Sequence, residues 1–317
     1  MKTTKTILAL SKTLVVLLLT LSVSLGLTNC GGDDPVTESG GSNAEQLITM
    51  GAGGDSFNMG DGTYGPNPTV VQAISYNFSM GKYQITNAQF QSFISDSGYS
   101  TDTYWTTNGI TQRNGGSWTQ PAFWGDSNFN GSNQPVVGVS WYEAVAFCNW
   151  LSVKEGLTPA YSASGQATLT ATGYRLPTEV EWEYVAAKGG SGQAERIYAW
   201  GDATPTDCSL VVGNVGSCGN TTTANVGSKS TVGDTPQGLA DMSGNVYEWC
   251  SDNYQADSSV VGGTDRYSFV DDSNGQPFLL RGGAWNDTNG DYFRGAFRGN
   301  YFPFGRSVGT GFRVVRP

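Results

Sequence analysis

Three capping boxes set most of the regular structure open to this chain. Thr86-x-x-Gln89, Ser140-x-x-Glu143 and Thr178-x-x-Glu181 each pair a hydroxyl that accepts from the third helical amide with a side chain that reaches back to the cap amide. The first predicts a helix that carries Phe90, Phe93 and Ile94 and stops at Gly98. The second places Ala144, Phe147, Cys148 and Leu151 at i, i+3, i+4 and i+7, and the third follows Arg175-Leu176-Pro177 and spans 179–187. Ahead of them, 53–60 and 76–81 alternate like short strands with glycine stops. Long polar stretches separate these elements, chiefly 102–133, rich in Trp, Asn and Gly; such loops are built into a site or pinned by a fold. With 44 glycines but only 14% charged residues, the chain reads as a loop-rich globular domain, not a disordered one.

The N-terminus reads as an export signal. Lys2, Lys5 and Lys12 precede an apolar run over 13–27, too short and wrongly flanked for a membrane span. It ends in Leu27-Thr28-Asn29-Cys30, which looks like a bacterial lipobox, although Asn29 departs from the usual small residue before the cysteine. Residues 1–29 would then be a lipoprotein signal peptide, Cys30 the lipidated N-terminus, 30–45 a polar tether, and 46–317 one large domain. An exported lipoprotein of the bacterial outer membrane or cell surface is expected, touching the membrane through its anchor alone. Removing the three leader lysines from a formal charge of −10 leaves −13, a surface that repels phosphate and argues against nucleic acid as a partner.

Four further cysteines remain. Cys208 and Cys218 lie in a Gly/Asn/Ser/Thr loop and suit a small disulfide in an exported protein, whereas Cys148 and Cys250 follow aromatic runs and read as buried thiols. The chain has no histidine, which removes Ser-His and Cys-His nucleophile systems and His-bound zinc or iron together.

The C-terminal end is unusual in composition. Two strand-like runs, 279–285 and 311–315, enclose a segment where arginines alternate with small, polar and aromatic residues, and they suggest a strand pair carrying a decorated surface. From 286 to 310 there are six aromatics and no Lys, Glu, Gln, Met or Trp, the five types that cannot be reached by changing the first two bases of an Asn codon. Tyr, Asn, Ser and Gly also suit a binding loop, since aromatics give contact area with few rotors and short polar groups adapt their hydrogen bonds. On composition alone, phenylalanines packed in a core fit equally well.

The order of motifs is more specific. Gly53-Gly54 with Phe57, Met59 and Gly60, then Pro135 to Trp141, Tyr174-Arg175-Leu176-Pro177-Thr178-Glu179-Val180-Glu181-Trp182, Tyr198-Ala199-Trp200-Gly201, Gly238 to Trp249, Arg281-Gly282-Gly283-Ala284-Trp285 and Gly311-Phe312-Arg313 follow one another. Together they resemble the formylglycine-generating enzyme (sulfatase-modifying factor) family over nearly everything after the tether. The fold implied is α+β and C-type-lectin-like, with little regular secondary structure and long loops. The family's enzymes are copper-dependent oxidases that use two cysteines just after the Arg-Gly-Gly motif. Those places fall near Asp287 and Tyr292 here, and carboxylate or phenol does not replace a thiolate toward Cu(I). The iron-using relatives need histidines.

A second branch, the variable proteins of diversity-generating retroelements, keeps the fold and rewrites Asn codons in the same region, and this chain resembles that branch. The resemblance implies a scaffold of Arg281, Gly283, Trp285, Arg294, Arg298, Arg306 and Gly311 inside a variable region, 285–311. Asn286, Asp287, Asn289, Asp291, Tyr292, Phe293, Phe297, Tyr301, Phe302, Phe304 and Ser307 would be exposed ligand-binding positions, facing a protein or glycan whose identity the sequence does not give. No catalytic residue and no required cofactor are expected. The family's structural calcium would fall at Asp241, Gly244, Val246 and Glu248, hard oxygen donors around a glycine turn. The alternative there is that Glu248 pairs with a core arginine such as Arg175. Glu179, Glu181 and Glu183 spread around one helix start, where carboxylates complement the dipole, so capping is expected of them rather than acid catalysis.

Overall fold

The computed structural model describes residues 46–317, apart from 207, 217 and 274 and the side chain of 258. The signal segment, Cys30 and the tether lie outside the described residues.

All three capping boxes form. Thr86 starts α1 (Asn87–Ser95), Ser140 starts α3 (Trp141–Lys154) and Thr178 starts α4 (Glu179–Glu183), each with both reciprocal hydrogen bonds in place. α1 stops at Ser95, short of Gly98, and α4 gives way to a π-helical turn, Tyr184–Lys188, closed by Gly189 at φ +72°. The polar stretch after 102 also holds a helix, α2 (Thr107–Gly115), capped by Thr106 alone. It buries only Gly109 and Arg113, so no apolar stripe announces it.

Three small sheets carry the strands. β1 (Leu47–Met50), β4 (Phe78–Gly81) and β10 (Val315–Arg316) form the first, in the order β1-β4-β10. β2 (Asp55–Met59), β3 (Val70–Ile74) and β6 (Gly263–Thr264) form the second. The third has the order β8-β7-β5-β9, from β5 (Tyr247–Asn253), β7 (Phe278–Arg281), β8 (Gly299–Tyr301) and β9 (Thr310–Gly311). The two strand-like ends of the C-terminal segment are therefore not paired with each other. β5 lies between them, antiparallel to β7 and parallel to β9. All four residues of β7 are buried, as expected of an apolar run covered on both faces.

α3 is the centre of the larger core. Residues 141–152 are buried on every side, well beyond the predicted stripe, and Trp141 stacks on Phe278 of β7 with ring centroids 4.0 Å apart. Phe90, Phe93 and Phe147 form a second knot of rings with Phe312. The helix also meets the C-terminal segment, where Trp141 N donates to Pro303 O at 3.0 Å.

Candidate ligand-binding face

The C-terminal segment is fastened by four arginines, Arg281, Arg294, Arg298 and Arg306, which reach carboxylates on α3, on α4 and at Asp61 and Asp257. Arg281 pairs with Glu183 and lies 3.7 Å from Glu179, both on α4. Arg294 reaches Asp61 at 2.7 Å, and Arg298 grips Glu179 at 2.5 and 2.9 Å while also holding Asp257 at 2.7 Å. Arg306 donates to Glu143 of α3 at 2.9 Å, and to the carbonyl oxygens of Gly138 at 3.1 Å and of Gln120. Ion pairs of this kind leave the backbone little freedom, because breaking a buried one strands a charge.

These contacts change the reading of the three glutamates. Glu181 alone belongs to the capping box, and it also receives Arg175 at 2.6 Å through both oxygens. Burial raises its pKa, but Arg175 outweighs that and leaves the carboxyl below its usual range. Glu179 and Glu183 instead hold two of the segment's arginines, Arg281 and Arg298. Sequence reasoning missed this role; the available signal was a run of arginines with only Asp287 and Asp291 among them to balance charge.

What the frame presents to solvent is aromatic and short polar. Tyr301, Phe302 and Phe304 are 40%, 46% and 39% exposed, and the two phenylalanine rings stack 5.7 Å apart. Asn286 and Asn289 are exposed, with Asn289 capping the turn Gly290–Phe293 by accepting from Asp291 N. Tyr292 and Phe297 are half-buried against each other, centroids 4.7 Å apart, and Tyr64 joins them from outside the segment. The Tyr64 hydroxyl donates to Asp291, which with burial raises its pKa. Asp287 is half-buried and closes a turn by accepting from Ala284 N at 2.8 Å; burial raises its pKa. Ser307 is half-buried.

Phe293 corrects the expectation. It is fully buried with Tyr198, Val211 and Val215, and its ring fills the space that a Cβ on Gly213 or Gly283 would need. It is a plug under the face and cannot touch a ligand. Trp285 sits half-buried on Phe129, and Phe304, Phe302 and Tyr301 remain the outermost rings.

Asp287 and Tyr292, near which the resemblance to the oxidases implies their two cysteines, are a turn-closing carboxylate and a packed ring. Cys148 and Cys250 are fully buried, and burial pushes both thiols far up, away from the reactive thiolate. Cys208 and Cys218 are joined in a disulfide with Cα atoms 5.0 Å apart.

The oxygens expected to hold calcium do converge, but around an amide nitrogen. Gln84 Nε2 lies 3.2 Å from the carbonyl oxygens of Asp241, Gly244 and Val246 and 2.9 Å from Glu248 Oε1. Calcium takes oxygens at about 2.3–2.6 Å. Glu248 is already saturated: Oε1 accepts from Gln84 and Arg313, Oε2 from Arg313 and from the Trp182 indole at 2.8 Å. Its charge partner is Arg313, not Arg175. The Asp241 carboxylate turns to Gly227 N instead. A dication would have to displace the Gln84 amide from the point where these oxygens converge, so the donor set as folded, with Gln84 in it, does not fit calcium.

An α+β domain of low regular structure, closed by a C-terminal segment that arginine–carboxylate pairs fasten down, is the class that fold and face define. Residues 35–317 match the sulfatase-modifying factor enzyme 1-like domain, and the chain belongs to that family. It is 29% identical over 264 residues to hercynine oxygenase of Mycobacterium tuberculosis, covering 75% of this chain and 52% of that protein. It is 30% identical over 306 residues to the formylglycine-generating enzyme of Streptomyces coelicolor, covering 83% of this chain and 85% of the enzyme. The chain thus spans about half the length of the hercynine oxygenases but most of the shorter enzyme. Among solved structures, Treponema denticola variable protein 1 superposes with a TM-score of 0.65 at 22% identity, over 86% of this chain and 95% of that one, a likeness of fold.

Proposed function

We propose that this chain is a surface-anchored lipoprotein that binds a protein or glycan ligand without transforming it, through the face built by 286–307. The observation that carries the proposal is the exposure of Tyr301, Phe302 and Phe304 on a backbone held by Arg281, Arg294, Arg298 and Arg306. Rigid aromatics at such positions supply the hot spots of an interface, since they bury much area for little rotamer entropy. Asn286, Asn289 and Ser307 would add adaptable hydrogen bonds. The residue types over 286–310, all reachable from Asn codons, support diversification of this face between otherwise identical chains.

The test is ligand capture on protein and glycan arrays by the wild-type chain and by a variant with Ala at Tyr301, Phe302 and Phe304. Capture that disappears in a variant still cooperatively folded supports the reading; capture that survives it contradicts it. A template repeat matching the end of the gene, beside a reverse transcriptase, would support the diversification. The oxidase reading is favoured by the similarity to formylglycine-generating enzymes. Incubation with copper, oxygen and a sulfatase-motif peptide separates the two, and formylglycine in the peptide would decide for the oxidase.

A further inference from the structure

We infer that the buried side chain of Gln84 stands in for a cation, so that the 241–248 turn, and the C-terminal segment resting on it, keep their shape without metal. Four oxygens aimed at one point repel one another unless something positive sits between them. Here that is the amide NH2 of Gln84, fully buried, at 2.9–3.2 Å from all four. Reversing the amide would put a fifth oxygen among them with no hydrogen to share, so the network fixes its orientation.

The substitution is imperfect in a way that identifies it. Two hydrogens serve four acceptors, and Gln84 Oε1 is buried with no partner among the described residues. A polar atom left so is costly, and that cost is offset here by the four contacts of the amide nitrogen. What the amide holds is the support of the proposed binding face. Gly244 N donates to Gly282 O, Trp285 N to Asn245 O, and Tyr247 N to Gly309 O, so the turn is stitched to the start and the end of the segment. Asp241 and Asn245 adopt φ of +55° and +67° within it, a shape that relaxes if its carbonyls lose their common partner. A chain displayed outside a cell would then keep its face in calcium-poor surroundings. That consequence rests on the proposed function; the occupancy of the site by Gln84 does not.

The test reads stability and metal binding of the full protein, neither of which depends on a ligand. Terbium is a suitable probe, because the Trp182 indole against Glu248 would sensitise its emission. Wild-type protein should show the same Tm in excess EDTA and in millimolar calcium, and no sensitised terbium emission. Gln84→Ala should lose several degrees of Tm in EDTA, recover part of that loss with calcium, and gain terbium emission that calcium competes away. Gln84→Glu, which places a carboxylate among the four oxygens, should fold stably only when a divalent cation is supplied. Calcium-dependent stability or terbium emission in the wild type overturns the inference. So does a Gln84→Ala protein that folds with unchanged Tm and binds no terbium. Should neither variant fold, the wild-type measurements decide alone.

Discussion

Replacing Arg298 with Ala removes the central fastener of the proposed face. Its side chain is 3% exposed and that of Glu179 is 7% exposed, and the pair shares two hydrogen bonds of 2.5 and 2.9 Å. Without Arg298, Glu179 keeps, among the described residues, Arg281 at 3.7 Å and stands beside Asp252, whose carboxyl burial, followed by the charge of Glu179, pushes up to about 8. Breaking such a pair costs about 3–5 kcal/mol, and the remaining arginine places the loss near the lower end. This is a large part of the ~5–15 kcal/mol that holds a domain together. The surface pair Lys154–Asp96, with side chains 34% and 45% exposed, should contribute only ~0–1 kcal/mol. Equilibrium unfolding in urea measures both. In a double-mutant cycle, adding Glu179→Gln to Arg298→Ala should recover part of the loss, because it removes the stranded charge. A loss below about 1 kcal/mol for Arg298→Ala, or full additivity with Glu179→Gln, refutes the reasoning.

Other outcomes follow from the same geometry. Phe293→Ala should cost about 3–5 kcal/mol in urea unfolding, because it empties a fully buried site, while Phe302→Ala should cost no more than about 1 kcal/mol. Asp252 binds its proton up to about pH 8 when folded but releases it near its ordinary value, below 4, when unfolded. The folded state thus holds more protons between those values, and this group's contribution to stability falls as pH rises through them. Asp252→Asn, compared with wild type by urea midpoint, should therefore look better at pH 8 than at pH 5. Cys208→Ser with Cys218→Ser opens a bond of sequence separation 10 and should lower stability by about 2–3 kcal/mol, read as a shift in urea midpoint.

The helix starts were legible because a capping box is a local device: Thr86, Ser140 and Thr178 meet their partners three residues on. α2 was not, since Thr106 has no reciprocal Gln or Glu and the helix buries almost nothing apolar. The ordered motifs identified the family, and Arg281, Arg294, Arg298 and Arg306 were read as scaffold. Their carboxylates could not be paired from sequence, because Glu179 lies 119 residues from Arg298 and Glu183 lies 98 from Arg281. Phe293 was misplaced for a different reason. Its neighbours Tyr292 and Arg294 are half-buried, and a short 3-10 turn gives no periodicity from which the inward position can be read. Gln84 was invisible because one amide beside a capping box has no pattern, and only the fold brings four distant oxygens to it.

The central claim is that the C-terminal segment from Arg281 onward separates into a fixed frame and replaceable side chains. Protease-resistance sorting of two displayed libraries tests this most directly, one randomised at Asn286, Asn289, Tyr301, Phe302 and Phe304, the other at Arg281, Phe293 and Arg298. The account predicts that most members of the first stay folded and most of the second do not. Comparable collapse of both libraries would contradict it.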